Sequence, residues 1–128
     1  AVIVTTPQDI ATLDARKALK MFEKLDIAVL GLVENMAVHV CTQCGHAEHL
    51  FGEGGAARMS AQYGVPVLGS LPLEIGIREQ GDAGAPIMAA RPGSPAALAY
   101  RGIARALLAQ LDGRPKLRSG LMASLLGG

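Results

Sequence analysis

Tryptophan is absent from this chain of 128 residues, and phenylalanine and tyrosine occur twice each. An aromatic share of 3% offers no platform on which bases could stack. The core must come from Val, Leu, Ile, Ala and Met, and with 50% of residues hydrophobic the chain has enough of them to fold. Net charge is nearly absent too. A balance of +1 leaves no nucleic-acid footprint. No apolar run approaches the roughly 20 residues that span a bilayer, and no secretory signal is visible. Neither nucleic acid nor a membrane is therefore an expected partner, and the expected compartment is the reducing cytoplasm. Three further patterns are missing: a Walker A loop, a Ser-His-Asp or paired-carboxylate arrangement, and an internal repeat.

Cysteine is scarce, but its two copies fall together as Cys41-Thr-Gln-Cys44. All three histidines, His39, His46 and His49, lie in the same stretch, Glu34 to Gly55. Two thiolates at this spacing can turn to one side and bind one metal or one cluster edge. In a reducing compartment a metal site is expected ahead of a disulfide. The motif is not thioredoxin-like, because it does not open a helix directly after a strand. Two cysteines cannot close a tetrahedral zinc site or a four-iron cluster. Either His46 and His49 complete a zinc site with Cys41 and Cys44 in one chain, or a second copy of the chain supplies the rest.

The remaining sequence reads as an α/β domain over residues 1–112. Ala1–Val4 and Ile27–Val33 are apolar runs with the look of strands buried on both faces. Between them, residues 11–25 place Ala11, Ala15, Ala18, Leu19, Phe22 and Leu25 on one helical stripe, with Asp9 or Thr12 as cap. Strand, helix and strand make a βαβ unit with parallel strands. Glu34 and Asn35 then fall at a strand's carboxyl end, where open α/β sheets hold ligands. Asn35 can meet an adenine edge there, or simply cap its own turn. Residues 36–53 form a long loop around the cysteines, and such loops are functional or mobile; metal-coupled folding predicts that this one is unformed without metal.

Gly54-Gly55 opens a helix to Tyr63, with Gly64 as its stop. Gly52-x-Gly54-Gly55 is either a tight turn or a presenter of N–H groups to an anion. A third strand is expected at 65–69, a turn or two of helix at 75–81, and breakers at 81–86 and 91–94. Ser94 and Pro95 start a last helix to about Asp112, its face formed by Tyr100, Ile103, Leu107 and Leu111. Residues 113–128 carry Arg114, Lys116 and Arg118 without an acid and are expected to be a disordered tail.

Several segments together resemble the C-terminal half of the Mrp/ApbC iron–sulfur carrier ATPases, in the MinD/ParA-like branch of P-loop NTPases. These are VIVTTPQD, VENM, CTQCGH, FGEGGA, YGVPVLGSLPLEIGIRE and GDAGAPI, in that order across residues 1–110. The resemblance implies the C-terminal part of a doubly wound parallel sheet, lacking the Walker A and B half. It implies a homodimer that binds ATP and Mg²⁺, and a labile 4Fe–4S cluster held between protomers and passed to apo iron–sulfur client proteins. On it, Cys41 and Cys44 are cluster ligands, Asn35 contacts the adenine, and Pro72, Leu73 and Glu74 wall the base pocket. Glu74 stands where the family more often has Asp. Without the Walker segments, these 128 residues are expected not to hydrolyse ATP alone, and the half-sheet is expected to leave one parallel edge bare.

Overall fold

The computed structural model describes residues 1–113. Arg114 to Gly128, which include the expected basic and apolar tail, lie outside the described residues. Three parallel strands form the central sheet in the order β1 (Val2–Thr5), β2 (Gly31–Glu34), β5 (Val67–Ser70). A second, two-stranded antiparallel sheet pairs β3 (His39–Val40) with β4 (Ala47–Glu48). Among the described residues there are five helices: α1 (Asp9–Lys24), α2 (Gly55–Tyr63), α3 (Ile75–Asp82), α4 (Ile87–Ala90) and α5 (Pro95–Asp112).

The middle strand β2 is covered on both faces and buried at all four residues; β1, expected to be buried on both faces, is not, because as the edge strand it leaves Val4 exposed. On one face Ile3 and Leu32 pack against Ala15 and Leu19 of α1 and Ala56 and Met59 of α2. On the other, Val33 and Leu68 meet Tyr100, Ile103 and Leu107 of α5. The helix stripes expected from spacing hold, with two exceptions. Leu25 is 61% exposed because α1 has ended at Lys24, and Leu111 stays exposed beyond the reach of the sheet. Thr12 takes a core position instead. It is buried beneath α2, with its hydroxyl donating to the Asp9 carbonyl 3.0 Å away.

Boundaries moved where pairing or capping decided them. The second strand starts at Gly31 and not Ile27, because Val2 pairs with Gly31 and residues 27–30 lie beyond the β1 ladder. Asp26, at φ 55°, sets that stretch off from α1. The third strand is shifted to Val67–Ser70, with an irregularity opposite Leu32 and Val33. Neither Asp9 nor Thr12 caps α1; Gln8 occupies that position in extended conformation without a side-chain bond. The Ser94 cap is formed, its Oγ accepting from Ala97 N–H at 3.2 Å with Pro95 in the first turn. The short helix α4 was not anticipated. It fills the gap between two breakers and buries Ile87.

The open edge expected of a half-sheet is present. Among the described residues β1 pairs only with β2, and Val4 is 60% exposed. Just past the carboxyl end of β1, Gly55 fits where no other residue does. A Cβ there would stand 2.8 Å from the Pro7 carbonyl oxygen and 2.9 Å from Thr12 Cγ2. The close approach locks the start of α2 against the loop that follows β1.

Candidate functional site

The carboxyl ends of β1, β2 and β5 bring Thr5, Glu34, Asn35 and Ser70 to one rim of the sheet. Here the chain leaves β2, builds the β3–β4 hairpin with the cysteines at its tip, and returns to the sheet as α2. Within the stretch expected as a long loop, β3 and β4 pair as a short hairpin. Cys41 N–H donates to the His46 carbonyl at 2.9 Å, and Gly45 N–H to the Cys41 carbonyl at 2.8 Å. Gly45 turns the chain with φ 72°, a left-handed conformation that suits glycine. The hairpin is also tied sideways to the segment after β5. Ala37 N–H donates to Leu71 O at 3.0 Å, Leu73 N–H to Val38 O at 2.8 Å, and His39 Nδ1 lies 3.2 Å from Leu73 O.

The turn between the cysteines has the chemistry of a ligand knuckle. Both are free thiols, Cys41 half-buried and Cys44 exposed. The backbone N–H of Cys44, then that of Gln43, then the Cys44 thiol donate toward the Cys41 sulfur and hold its pKa below the ordinary thiol value. Burial and the Glu48 carboxylate oppose this and are outweighed. Donors aimed at sulfur favour the thiolate, the form that binds metal and reacts. Because the lowered value places thiolate at Cys41 at lower pH, alkylation should rise earlier than for an ordinary cysteine. In a Cys44→Ser chain, iodoacetamide labelling of Cys41 is expected to reach its pH midpoint below that of the same chain in urea. Identical midpoints would show that the turn does not act on the sulfur.

The single-chain zinc set is not assembled. His46 Nε2 faces the Glu48 carboxylate at 3.7 Å. His49 turns away from the tip, with Nδ1 2.8 Å from Ala37 O and Nε2 3.0 Å from Glu53 Oε1. Among the described residues no three His, Cys, Asp or Glu side chains cluster as a metal site. The physical reason is placement: His46 closes the tip through its backbone, and His49 sits past β4 at the hairpin's base. Among the described residues one chain therefore offers two thiols and no third ligand at that tip.

The residues expected to contact a base divide between two recesses. Asn35 lines an open groove of about 530 Å³ along β1, with Thr5, Thr6 and Ala11. Its Oδ1 accepts from Met36 N–H at 2.9 Å, so the side chain caps its own turn, where Met36 has φ 56°. Pro72, Leu73 and Glu74 line a more enclosed cavity of about 320 Å³ together with Val40, Cys41 and Pro95. Glu74 also approaches Arg91, 4.0 Å away. The wall expected for a base thus stands directly beside the first cysteine.

Glu34 has a different role from the ligand contact its strand-end position suggested. It is 7% exposed, and its carboxylate accepts from Ala56 N–H at 2.7 Å. That bond occupies the start of α2, so the anion at the Gly54-Gly55 turn is the protein's own. Gly54 sits at the N-cap with φ 69° and has no side chain to cap with. A helix that starts on two glycines lacks the usual Ser, Thr, Asp or Asn, and this absence was the sequence signal for a remote capping group.

Comparison with known proteins agrees with this architecture. Residues 1–108 match the family model described as ParA, NUBPL iron-transfer P-loop NTPase. The iron-sulfur cluster carrier protein of Pseudomonas fragi is 64% identical over 104 residues, which are 81% of this chain and 36% of that protein. The protein of the same name from Escherichia coli K12 is 50% identical over 111 residues, 87% of this chain and 30% of its own length. The mouse iron-sulfur cluster transfer protein NUBPL is 46% identical over 116 residues, 91% of this chain and 36% of the relative. The chain therefore spans about a third of the length of these curated relatives.

Among solved structures, a nucleotide-binding protein from Archaeoglobus fulgidus in complex with ADP shares 39% identity at TM-score 0.58, over 66% of this chain and 35% of that one. The cell division ATPase MinD of Pyrococcus furiosus superposes at TM-score 0.67 with 26% identity, over 85% of this chain and 42% of its own. The parallel sheet with helices on both faces is the fold these share. With the family model spanning all but its last 20 residues, the chain belongs to the NUBPL-type iron-transfer P-loop NTPases.

Proposed function

We propose that this chain is the cluster-holding part of an iron–sulfur carrier. Two copies would clasp one 4Fe–4S cluster through Cys41 and Cys44 of each, then pass it to apo iron–sulfur client proteins. The observation that carries the proposal is the knuckle at the hairpin tip: two thiols, sulfur-directed N–H groups, and no third ligand placed there among the described residues. Four thiolates satisfy a four-iron cluster, and each copy has two. The cluster is cargo, and shared ligation suits release: a small separation of the copies removes half of the coordination.

A bound nucleotide would supply the energy that biases such a separation. Asn35, Pro72, Leu73 and Glu74 are the proposed base-contacting residues, standing after β2 and β5 at the ligand end of the sheet. Phosphate and Mg²⁺ contacts would come from residues this sequence does not contain. The cavity shared by Cys41 and Pro72 to Glu74 supports communication between nucleotide and cluster, since movement of the base wall would press on the first ligand.

Anaerobic reconstitution with iron and sulfide, followed by elemental analysis and native mass spectrometry, tests the site. The expected result is about four irons and four sulfides per pair of chains. One zinc per single chain with no iron retained would defeat the shared-cluster reading. Cluster transfer to an apo ferredoxin tests the carrier role itself, which fails if the loaded protein never gives up its iron.

A further inference from the structure

His49 belongs to neither the cysteine pair nor the nucleotide contacts, yet it joins the two regions. Its Nδ1 faces the Ala37 carbonyl, which can only accept, so this nitrogen carries the proton; the distance is 2.8 Å. Ala37 is buried and lies three residues after Glu34. The other nitrogen, Nε2, lies 3.0 Å from Glu53 Oε1, an ion pair when the ring is protonated. Glu53 immediately precedes Gly54, the N-cap of α2, and its carbonyl accepts from the Arg58 guanidinium at 2.6 Å. Ala56, in the first turn of that helix, donates to Glu34. The contacts close a ring: Glu34, Ala37, His49, Glu53, the start of α2, and Glu34 again. The cysteine hairpin projects from this ring, and Asn35 lies within it.

We propose that His49 is a positioning residue that clamps the cysteine hairpin to the start of α2, so that a change at the cysteines is felt at Glu34 and Asn35. The coupling to cluster binding rests on the proposed role of Cys41 and Cys44; the clamp itself does not. Displacing the hairpin moves β4 and with it the ring of His49. That ring pulls on Glu53, and the pull falls on a glycine pair at the N-terminus of α2. Outer contacts of this kind orient ligand-bearing segments without touching the metal. The physical requirement for coupling is one element that both sites bias, and the start of α2 meets it.

Amide hydrogen exchange on the 128-residue chain tests the clamp without any cluster. His49→Ala is expected to speed exchange at Cys41, Gly45 and Ala56 by roughly fivefold to tenfold, the effect of losing about one hydrogen bond. His49→Asn retains a donor near the Nδ1 position. It should restore protection at Cys41 and Gly45 while Ala56 stays fast. Unchanged exchange at all three amides in His49→Ala would overturn the proposal. So would an equal rise across the β1, β2 and β5 ladder, which marks an ordinary stabilising residue.

The second arm uses chain loaded with iron and sulfide. Loading should slow Ala56 exchange in the wild type and leave it unchanged in His49→Ala at equal iron content. An equal response in both would overturn the coupling. If the wild type retains no iron, the cluster reading fails, and the cluster-free arm still decides the clamp.

Discussion

Replacing Cys44 alone by serine is expected to strip iron and sulfide from the reconstituted protein as completely as replacing both cysteines. The reason is arithmetic on a symmetric site. Each chain brings two thiols to a cluster that needs about four, so one substitution per chain removes half of the ligands at once. A serine hydroxyl is a hard, neutral donor and does not replace a soft thiolate. Cys41→Ser should behave the same way, with the further loss of the sulfur to which the Cys44 and Gln43 N–H groups donate. Neither change should unfold the chain. Cys44 is exposed and Cys41 is half-buried at a hairpin tip away from both core clusters. Surface substitutions of this type cost within about 0.5 kcal/mol. The measurement is iron and sulfide content beside thermal unfolding of the metal-free chain. A Cys44→Ser protein that kept half or more of its iron would rule out four cysteines shared between two chains.

Glu34→Ala is expected to be the most damaging single change at the sheet rim. The wild-type carboxylate is buried and accepts from Ala56 N–H at 2.7 Å, facing the positive end of α2. Removing it leaves a buried donor without a partner and a helix start without a counter-charge. Hydrogen bonds to charged groups contribute about 1.5 to 3 kcal/mol, and the helix end adds a few tenths to about 1. A loss of about 2 to 3 kcal/mol is therefore expected, read as a fall of roughly 10 °C in melting temperature for a domain of this size. Glu34→Gln keeps an acceptor near the same place and should lose about half as much. Urea unfolding of the three proteins checks the order wild type, Gln, Ala. An Ala variant as stable as the wild type would mean that Glu34 does not hold α2 in solution.

The difference between Glu34 and Asn35 shows how far sequence reaches at this site. Both were expected in the ligand crevice because both follow an apolar strand. Side-chain direction separates them, and direction follows from the twist and register of β2 against β1, where Thr5 pairs with Glu34. Asn35 N–H donates to Thr5 O at 2.7 Å, and its side chain then folds onto Met36. Glu34 points inward to meet a helix that begins 21 residues later. No local pattern encodes that meeting.

The sequence by itself determined the alternation of strand and helix, the apolar faces of α1, α2 and α5, the Ser94 cap, the Gly64 stop and the cysteine pair. Each of these rests on spacing or on the conformational preference of one or two neighbouring residues, so each can be read along the chain. The tertiary structure alone decided three things. It set where the strands end, because only pairing fixes that. It turned His46 and His49 away from the thiols, because the hairpin's own hydrogen bonds and the base of the loop place them. It put Pro72, Leu73 and Glu74 beside Cys41 and apart from Asn35, because β5 runs next to β2 and carries its following loop against the hairpin. The strand pairings and the contact of the β5 loop with the hairpin join segments about 30 to 40 residues apart, and chain closure over such distances is settled by packing, not by local propensity.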